Sequence, residues 1–137
     1  MRIGIVGHEA RKFTAETERA ARKIIRELLA PKGTTLVSGR CHLGGIDVWA
    51  EEIADELGRE KIIHVPRTLS WNTGFRPRNL FIARDSDECH CIVVRELPKE
   101  YAGMHFSSCY HCKTTDHVKS GGCWTTRRSK KGIWHVV

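Results

Sequence analysis

The chain has 137 residues, of which 40% are apolar and 28% charged, a composition typical of one globular domain and not of a disordered or fibrous chain. Lysine and arginine number 23 against 16 acidic residues, and the resulting net charge of +7 favours an anionic partner such as a nucleotide, a nucleic acid or a phosphate. No apolar run approaches the roughly 20 residues of a membrane-spanning helix, and the N-terminus lacks the apolar core of a signal peptide. We therefore expect a cytoplasmic protein without membrane contact.

Short apolar runs alternate with amphipathic segments along most of the chain. The apolar runs predict strands at residues 2–6, 34–38, 61–65, 89–94 and 133–137. The amphipathic segments predict helices at residues 14–30, 46–57, 77–84 and 124–131. Continuous apolar strands that alternate with helices are typical of a mostly parallel sheet covered on both faces. The sequence therefore predicts one α/β domain over residues 1–137, with a Rossmann-like three-layer fold.

Residues 98–121 do not follow this alternation and form a predicted insert rich in cysteine and histidine. The spacing Cys109-x2-Cys112-x4-His117-x5-Cys123 differs by one residue from that of a zinc knuckle. A Cys-x2-Cys turn brings two thiolates about 3.5–4 Å apart, as tetrahedral zinc requires. The pattern predicts a structural zinc ion held by these four residues, with His105 and His111 as alternative ligands. The simpler interpretation is a polar loop without metal.

The loops beyond the strands predict a ligand site. In a doubly wound sheet, ligands bind outside the carboxyl ends of the strands. Four loops should lie there, after the first, second, third and fourth predicted strands. The last three of them supply glycines, hydroxyls and arginines at helix starts, a combination suited to phosphate. The predicted ligand-binding residues are Gly7, Ser38, Gly39, Arg40, Gly44, Gly45, Asp47, Arg76, Arg78, Asn79, Gly121, Gly122, Thr125 and Thr126.

A plainer interpretation of the same residues stays open. The glycines would then only permit tight turns, and Asp47 would complement the dipole of its helix. Neither glycine loop has the dinucleotide fingerprint GxGxxG or the Walker A pattern GxxxxGK[ST]. The sequence therefore gives no support for a redox cofactor or for phosphoryl transfer.

Cysteine and tryptophan occur outside the insert as well. Cys89 and Cys91 alternate along a predicted strand and are expected to share one face as small core residues. Cys41 lies in a glycine loop, where it could touch a ligand. The four tryptophans are mainly core candidates, although Trp71 and Trp124 could stack on a base.

Three blocks of the sequence, SGRCHLGGIDVWAEEIADELG, RPRNLFIARDSDECHCIVV and SGGCWTTRRSKKGIWHVV, resemble the SLOG superfamily. This Rossmann-like group includes the DNA-processing protein DprA, the Lonely Guy hydrolases and the small YspA-like proteins, and the chain is most similar to the YspA-like pattern. The matching positions are Ser38-Gly39, Gly45, Asp47, Arg78-Asn79 and Asp87. The resemblance covers residues 1–97 and 120–137.

The resemblance implies a site for a nucleotide or a nucleotide derivative at the carboxyl ends of the strands. In the hydrolase branch a glycine-rich phosphate loop is followed by a catalytic glutamate, and Arg128 stands at that position here. An arginine cannot activate water as a carboxylate does. The DprA branch binds single-stranded DNA, which suits the positive net charge.

Three hypotheses for the function follow. The first is a protein that binds a nucleotide-like small molecule and carries a structural zinc site. The second is an N-glycosidic or phosphoribosyl hydrolase in which Glu9 or Asp47 is the carboxylate. The third is a single-stranded nucleic-acid binder that uses the Cys/His cluster and the basic run at residues 127–131. The sequence leaves open whether the chain forms a homo-oligomer.

Overall fold

Five parallel strands form a single sheet in the computed structural model, which describes all 137 residues. The strands are β1 (Arg2–Gly7), β2 (Thr35–Ser38), β3 (Glu60–Ile63), β4 (Glu88–Val93) and β5 (Gly132–Val136). Their order is β3-β2-β1-β4-β5, and each neighbouring pair is parallel. The predicted α/β class and mostly parallel sheet are therefore confirmed. The order reverses between β1 and β4, which is where sheets of this type place a ligand crevice.

Four α-helices cover the sheet in two layers. They are α1 (Ala15–Leu29), α2 (Ile46–Glu56), α3 (Arg76–Asp85) and α4 (Gly121–Arg127). Ala21, Ile25 and Leu29 of α1 and Ile53 of α2 pack with Ile5 of β1 on one face. A second apolar cluster lies on the other face, beneath α3 and α4, and contains Val6, Val37, Ile82, Cys89, Cys91, Val93, Cys109 and Cys123. None of the helices combines the length and the apolar character needed to cross a bilayer.

The strand residues divide between these two clusters by the alternation of the pleat. On β4, Cys89, Cys91 and Val93 face the cluster under α3 and α4, while Ile92 faces α1 and α2. Cys89 and Cys91 are both fully buried, which confirms that they share a face of the core. All six cysteines are free thiols.

The predicted insert runs from the end of β4 towards the start of α4 without regular strands or helices. A single antiparallel bridge joins Cys109 and Thr114. The buried ring of His8, just after β1, fastens the end of the insert to the sheet. Its Nδ1 accepts a hydrogen bond from the Val94 N–H at 3.1 Å, and its Nε2 lies 2.8 Å from the Lys119 carbonyl oxygen. Burial lowers the pKa of His8 to about 4, so the ring is neutral and donates from Nε2 at physiological pH.

Several elements differ from the sequence prediction by a few residues at their ends, and two differences have identifiable reasons. Helix α4 begins three residues before the predicted start at Trp124, because the Ser120 hydroxyl caps it by accepting the Gly122 N–H at 3.0 Å. Gly121 and Gly122 therefore lie inside the first turn of the helix. Residues Trp71–Phe75, predicted as a loop, form a π-helical turn that continues directly into α3.

Candidate metal centre and ligand cleft

Four side chains from the insert and α4 meet in one cluster: Cys109, Cys112, His117 and Cys123. One ligand atom of each lies within 4.8 Å of all the others. Four ligands of one tetrahedral ion with metal–sulfur bonds of about 2.3 Å would lie about 3.8 Å apart, so modest closure around a metal suffices. The cluster could therefore hold a metal ion.

The backbone explains how the insert presents its first two cysteines. Cys109 and Thr114 exchange two backbone hydrogen bonds, of 2.9 and 3.2 Å, and so close a tight turn. Lys113 occupies the left-handed region with φ 52°, which lets the chain reverse directly after Cys112. The turn places both thiols on the side that faces α4.

The remaining two members of the cluster come from the end of the insert and from α4. His117 is buried, and its Nε2 lies 3.6 Å from the Cys123 sulfur. His105, an alternative ligand in the sequence prediction, lies outside the cluster and contacts the Tyr101 carbonyl oxygen through Nε2. His111 also lies outside it and packs beside Tyr110. The structure thus selects Cys123 as the fourth candidate ligand.

Cys123 is the sulfur best prepared to be a thiolate. The Cys91 thiol lies 3.9 Å from it, and hydrogen bonding from this thiol lowers the pKa of Cys123. Burial opposes that shift, whereas His117 adds to it. Burial and the neighbouring Cys123 instead raise the pKa of Cys91, which therefore remains a thiol.

A polar cleft of about 160 Å³ lies beside the cluster, beyond the carboxyl end of β1. Seven of the predicted ligand-binding residues line it: Gly7, Asp47, Arg78, Asn79, Gly121, Gly122 and Thr125. They come from four separate segments of the chain, which the sheet topology brings to one edge. Cys41 also lines the cleft, together with two apolar residues, Val6 and Ile82, that no polar motif could have indicated.

Arg78 is held in place by the protein and keeps part of its guanidinium free. Its Nη1 donates to the Gly39 carbonyl oxygen at 2.6 Å, and its Nε donates to Asn79 Oδ1 at 2.7 Å. The other terminal nitrogen makes no hydrogen bond within the protein. This arrangement preorganises one donor edge of the arginine for an anionic group.

Asp47 supplies the only carboxyl group that lines this cleft. It lies in the first turn of α2 and is only 8% exposed. Burial raises the pKa of Asp47 to about 6, although the charge of Arg78 pulls it in the opposite direction. A carboxyl group in this setting can accept hydrogen bonds from ligand hydroxyls and can change its protonation state near neutral pH.

The other predicted ligand-binding residues do not line the cleft, and several have partners within the protein. Ser38 donates its hydroxyl to the Ile5 carbonyl oxygen at 2.8 Å, and Thr126 donates to the Gly122 carbonyl oxygen at 2.7 Å. Arg40 forms an ion pair with Glu51 at the surface, and Arg76 is exposed on α3. Local pairing, and not the cleft, fixes the side chains of Ser38, Arg40 and Thr126.

The glycines Gly39, Gly44 and Gly45 shape the loop before α2 without lining the cleft. Gly45 has φ 86°, and a Cβ there would lie 2.4 Å from the His8 carbonyl oxygen, so only glycine fits this close approach. The Ile46 N–H at the start of α2 donates to that same oxygen at 3.2 Å. Since Ile46 and Gly122 both use their N–H groups within the protein, recognition of an anion depends on Arg78 more than on backbone amides.

A second polar cleft of about 150 Å³ adjoins the first, and both are lined by Gly7 and Gly121. Its other lining residues are His8, Glu9, Lys12, Lys119 and Ser120. Glu9 accepts a hydrogen bond from the Tyr101 hydroxyl at 3.0 Å. Lys12 forms no ion pair, and burial lowers its pKa. The two adjoining clefts thus have Arg78 in one and Lys12 in the other as positively charged groups.

Comparisons with known proteins found no matching family model, no matching curated protein and no matching solved structure. The resemblance to the SLOG superfamily therefore stays an expectation from the sequence motifs.

Replacing Asp47 with asparagine should remove a pH-dependent cost to stability. Because the pKa of Asp47 rises from 3.8 to about 6 on folding, its ionisation opposes folding. Asp47 therefore contributes fully to stability below its unfolded pKa of 3.8, and this contribution is lost as the pH rises through its folded pKa of about 6. A shift of two pKa units corresponds to about 3 kcal/mol. Urea denaturation should therefore show Asp47→Asn gaining about 2–3 kcal/mol over the wild type between about pH 4 and pH 7.

The exposed Asp55 on the same helix provides the matched control. Asp55→Asn should change stability by less than about 1 kcal/mol, because its pair with Lys61 lies at the surface. A difference between wild type and Asp47→Asn that is constant across this pH range would contradict the burial of an ionisable carboxyl at position 47.

Proposed function

We propose that the protein binds a nucleotide or a nucleotide derivative in the clefts beyond β1 and holds a structural zinc ion in the Cys/His cluster. The observation that carries the ligand proposal is the meeting of Asp47, Arg78, Asn79 and Thr125 in one cleft at the point where the strand order reverses. These groups come from three separate segments of the chain, α2, α3 and α4, and converge at one edge of the sheet.

The chemistry of the lining favours a phosphorylated ligand that carries hydroxyls. The free edge of Arg78 suits a phosphate oxygen, while the Asp47 carboxylate and the Asn79 amide suit the hydroxyls of a ribose. The first cleft alone is smaller than the roughly 300 Å³ at which small-molecule pockets begin, and the two adjoining clefts together reach that size. A ligand of nucleotide size would extend over Gly7 and Gly121 towards Lys12.

The donor set of the cluster favours zinc over other metals. Three cysteine sulfurs and one imidazole match a Cys3His site, whereas magnesium and calcium require oxygen ligands. Three of the four residues are buried, so the set resembles a closed structural site and not a catalytic one with an open position. Zinc would order the insert, because a polar segment of this length inside a domain has little apolar surface to bury.

The metal content of the purified protein tests the first part of this proposal. We expect one equivalent of zinc per chain when the protein is purified without chelator and analysed by inductively coupled plasma mass spectrometry. Cys109→Ser should lose most of that zinc, because it removes one of four ligands. Cys41→Ser should retain it, since Cys41 lies in the cleft and outside the cluster. Well under half an equivalent in the wild type would contradict the zinc site.

The response to nucleotides tests the second part. A thermal-shift panel of AMP, ADP and ribose 5-phosphate should give at least one stabilising ligand in the millimolar range or below. Arg78→Ala should weaken its binding by about 10- to 100-fold, because a charge-assisted hydrogen bond is worth about 1.5–3 kcal/mol. Arg76→Ala removes the same charge two residues away on the exposed surface and should change binding by less than about threefold. No shift with any of these compounds, or equal effects of the two substitutions, would contradict the ligand site.

A further inference from the structure

One buried polar atom has no hydrogen-bond partner in the protein, and it lies next to the Cys/His cluster. This atom is Nε1 of Trp134, on β5. Buried donors are almost always satisfied, because an unpaired N–H loses its hydrogen bonds to water without replacement. Trp134 packs against the apolar cluster that contains Cys91, Cys109 and Cys123, whose sulfur atoms can accept a hydrogen bond.

Two polar groups from neighbouring strands lie against the face of α4 that carries Cys123. Trp134 on β5 and Cys91 on β4 are register partners, and both face α4. The Cys91 sulfur lies 3.9 Å from the Cys123 sulfur, and the Trp134 ring packs against the apolar cluster that contains both sulfurs. A metal-bound thiolate in such a buried position needs hydrogen-bond donors, and the unpaired indole N–H is a donor with no other use in the protein.

Arg127 adds a positive charge beside this arrangement. It follows Cys123 by one turn of α4, and its guanidinium carbon lies 5.4 Å from the centre of the Trp134 ring. The guanidinium therefore packs on the indole and brings a positive charge close to the cluster.

A closed site of three thiolates and one imidazole around a divalent cation carries a net charge of −1 in a buried position. Partners outside the ligand set stabilise such a charge and fix the orientation of the ligands. We propose that Trp134 is a positioning residue of the metal centre, which donates its indole N–H to the metal-bound thiolate of Cys123, with Cys91 as the second donor to that sulfur. This inference rests on the proposed metal site and assigns to the sheet a role in holding the metal.

The isosteric variant Trp134→Phe tests this role, because it removes the N–H and keeps an aromatic ring. Competition with a chromophoric chelator should show zinc bound about 10-fold more weakly than by the wild type. In the cobalt-substituted protein, the sulfur-to-metal charge-transfer band should move to longer wavelength, because a thiolate that loses a donor is more easily oxidised. Trp49→Phe, in the cluster on the opposite face of the sheet, should leave both quantities unchanged.

A second measurement needs no variant. In wild-type protein with ¹⁵N-labelled tryptophan, the Trp134 indole proton should exchange slowly with solvent when metal is bound, and its resonance should move when the metal is removed. The indole proton of Trp71, which is 44% exposed, should exchange quickly in both states.

The outcomes separate this inference from the metal site itself. If the wild type binds zinc but Trp134→Phe shows the same affinity and the same cobalt spectrum, the role of Trp134 is overturned and the metal site stands. A Trp134 indole proton that exchanges as fast as that of Trp71 in the metal-loaded protein would overturn it as well, even if the variant fails to fold. A wild-type protein that binds no metal would overturn both.

Discussion

The position of the Cys123 sulfur is the constraint on which the rest of the site depends. Cys123 lies on α4 between Gly122 and Thr125, two residues that line the cleft. Helix α4 has only seven residues, too few to be stable without tertiary contacts. Its residue Cys123 contacts the sheet through Cys91 and the insert through His117. Whatever fixes the Cys123 sulfur therefore also fixes one wall of the ligand cleft.

The insert is anchored at two points, its middle and its closing end. In its middle the Cys109–Thr114 turn presents the thiols to α4. At its closing end His117 reaches the same cluster, and the neutral His8 ring joins the Lys119 carbonyl to the backbone of Val94, just before the insert begins. Apart from Cys109 and Val118, the insert buries no apolar side chain. A metal ion would replace the apolar core that the insert lacks, and it would do so at the surface of α4 that faces away from solvent.

The sequence allowed the fold and the metal cluster to be predicted, because each depends on a short-range pattern. Apolar runs separated by amphipathic segments require a parallel sheet, and the Cys-x2-Cys turn brings its thiols together locally. The cleft was predictable only in part. Arg40 and Ser38 lie in a predicted ligand loop, but neither lines the cleft. Arg40 pairs with Glu51 and Ser38 donates to the Ile5 carbonyl oxygen, and the sequence does not reveal either partner. The relation of Trp134 to Cys123 requires the register of β4 against β5, which no local pattern specifies.

The proposed metal centre and ligand cleft share α4, so we expect binding at the two sites to be energetically coupled. Isothermal titration of AMP into the metal-loaded and the metal-stripped protein measures this coupling. We expect removal of the metal to weaken AMP binding by at least about 10-fold, within the range usual for two coupled sites. Equal affinity of the two forms for AMP would contradict the coupling.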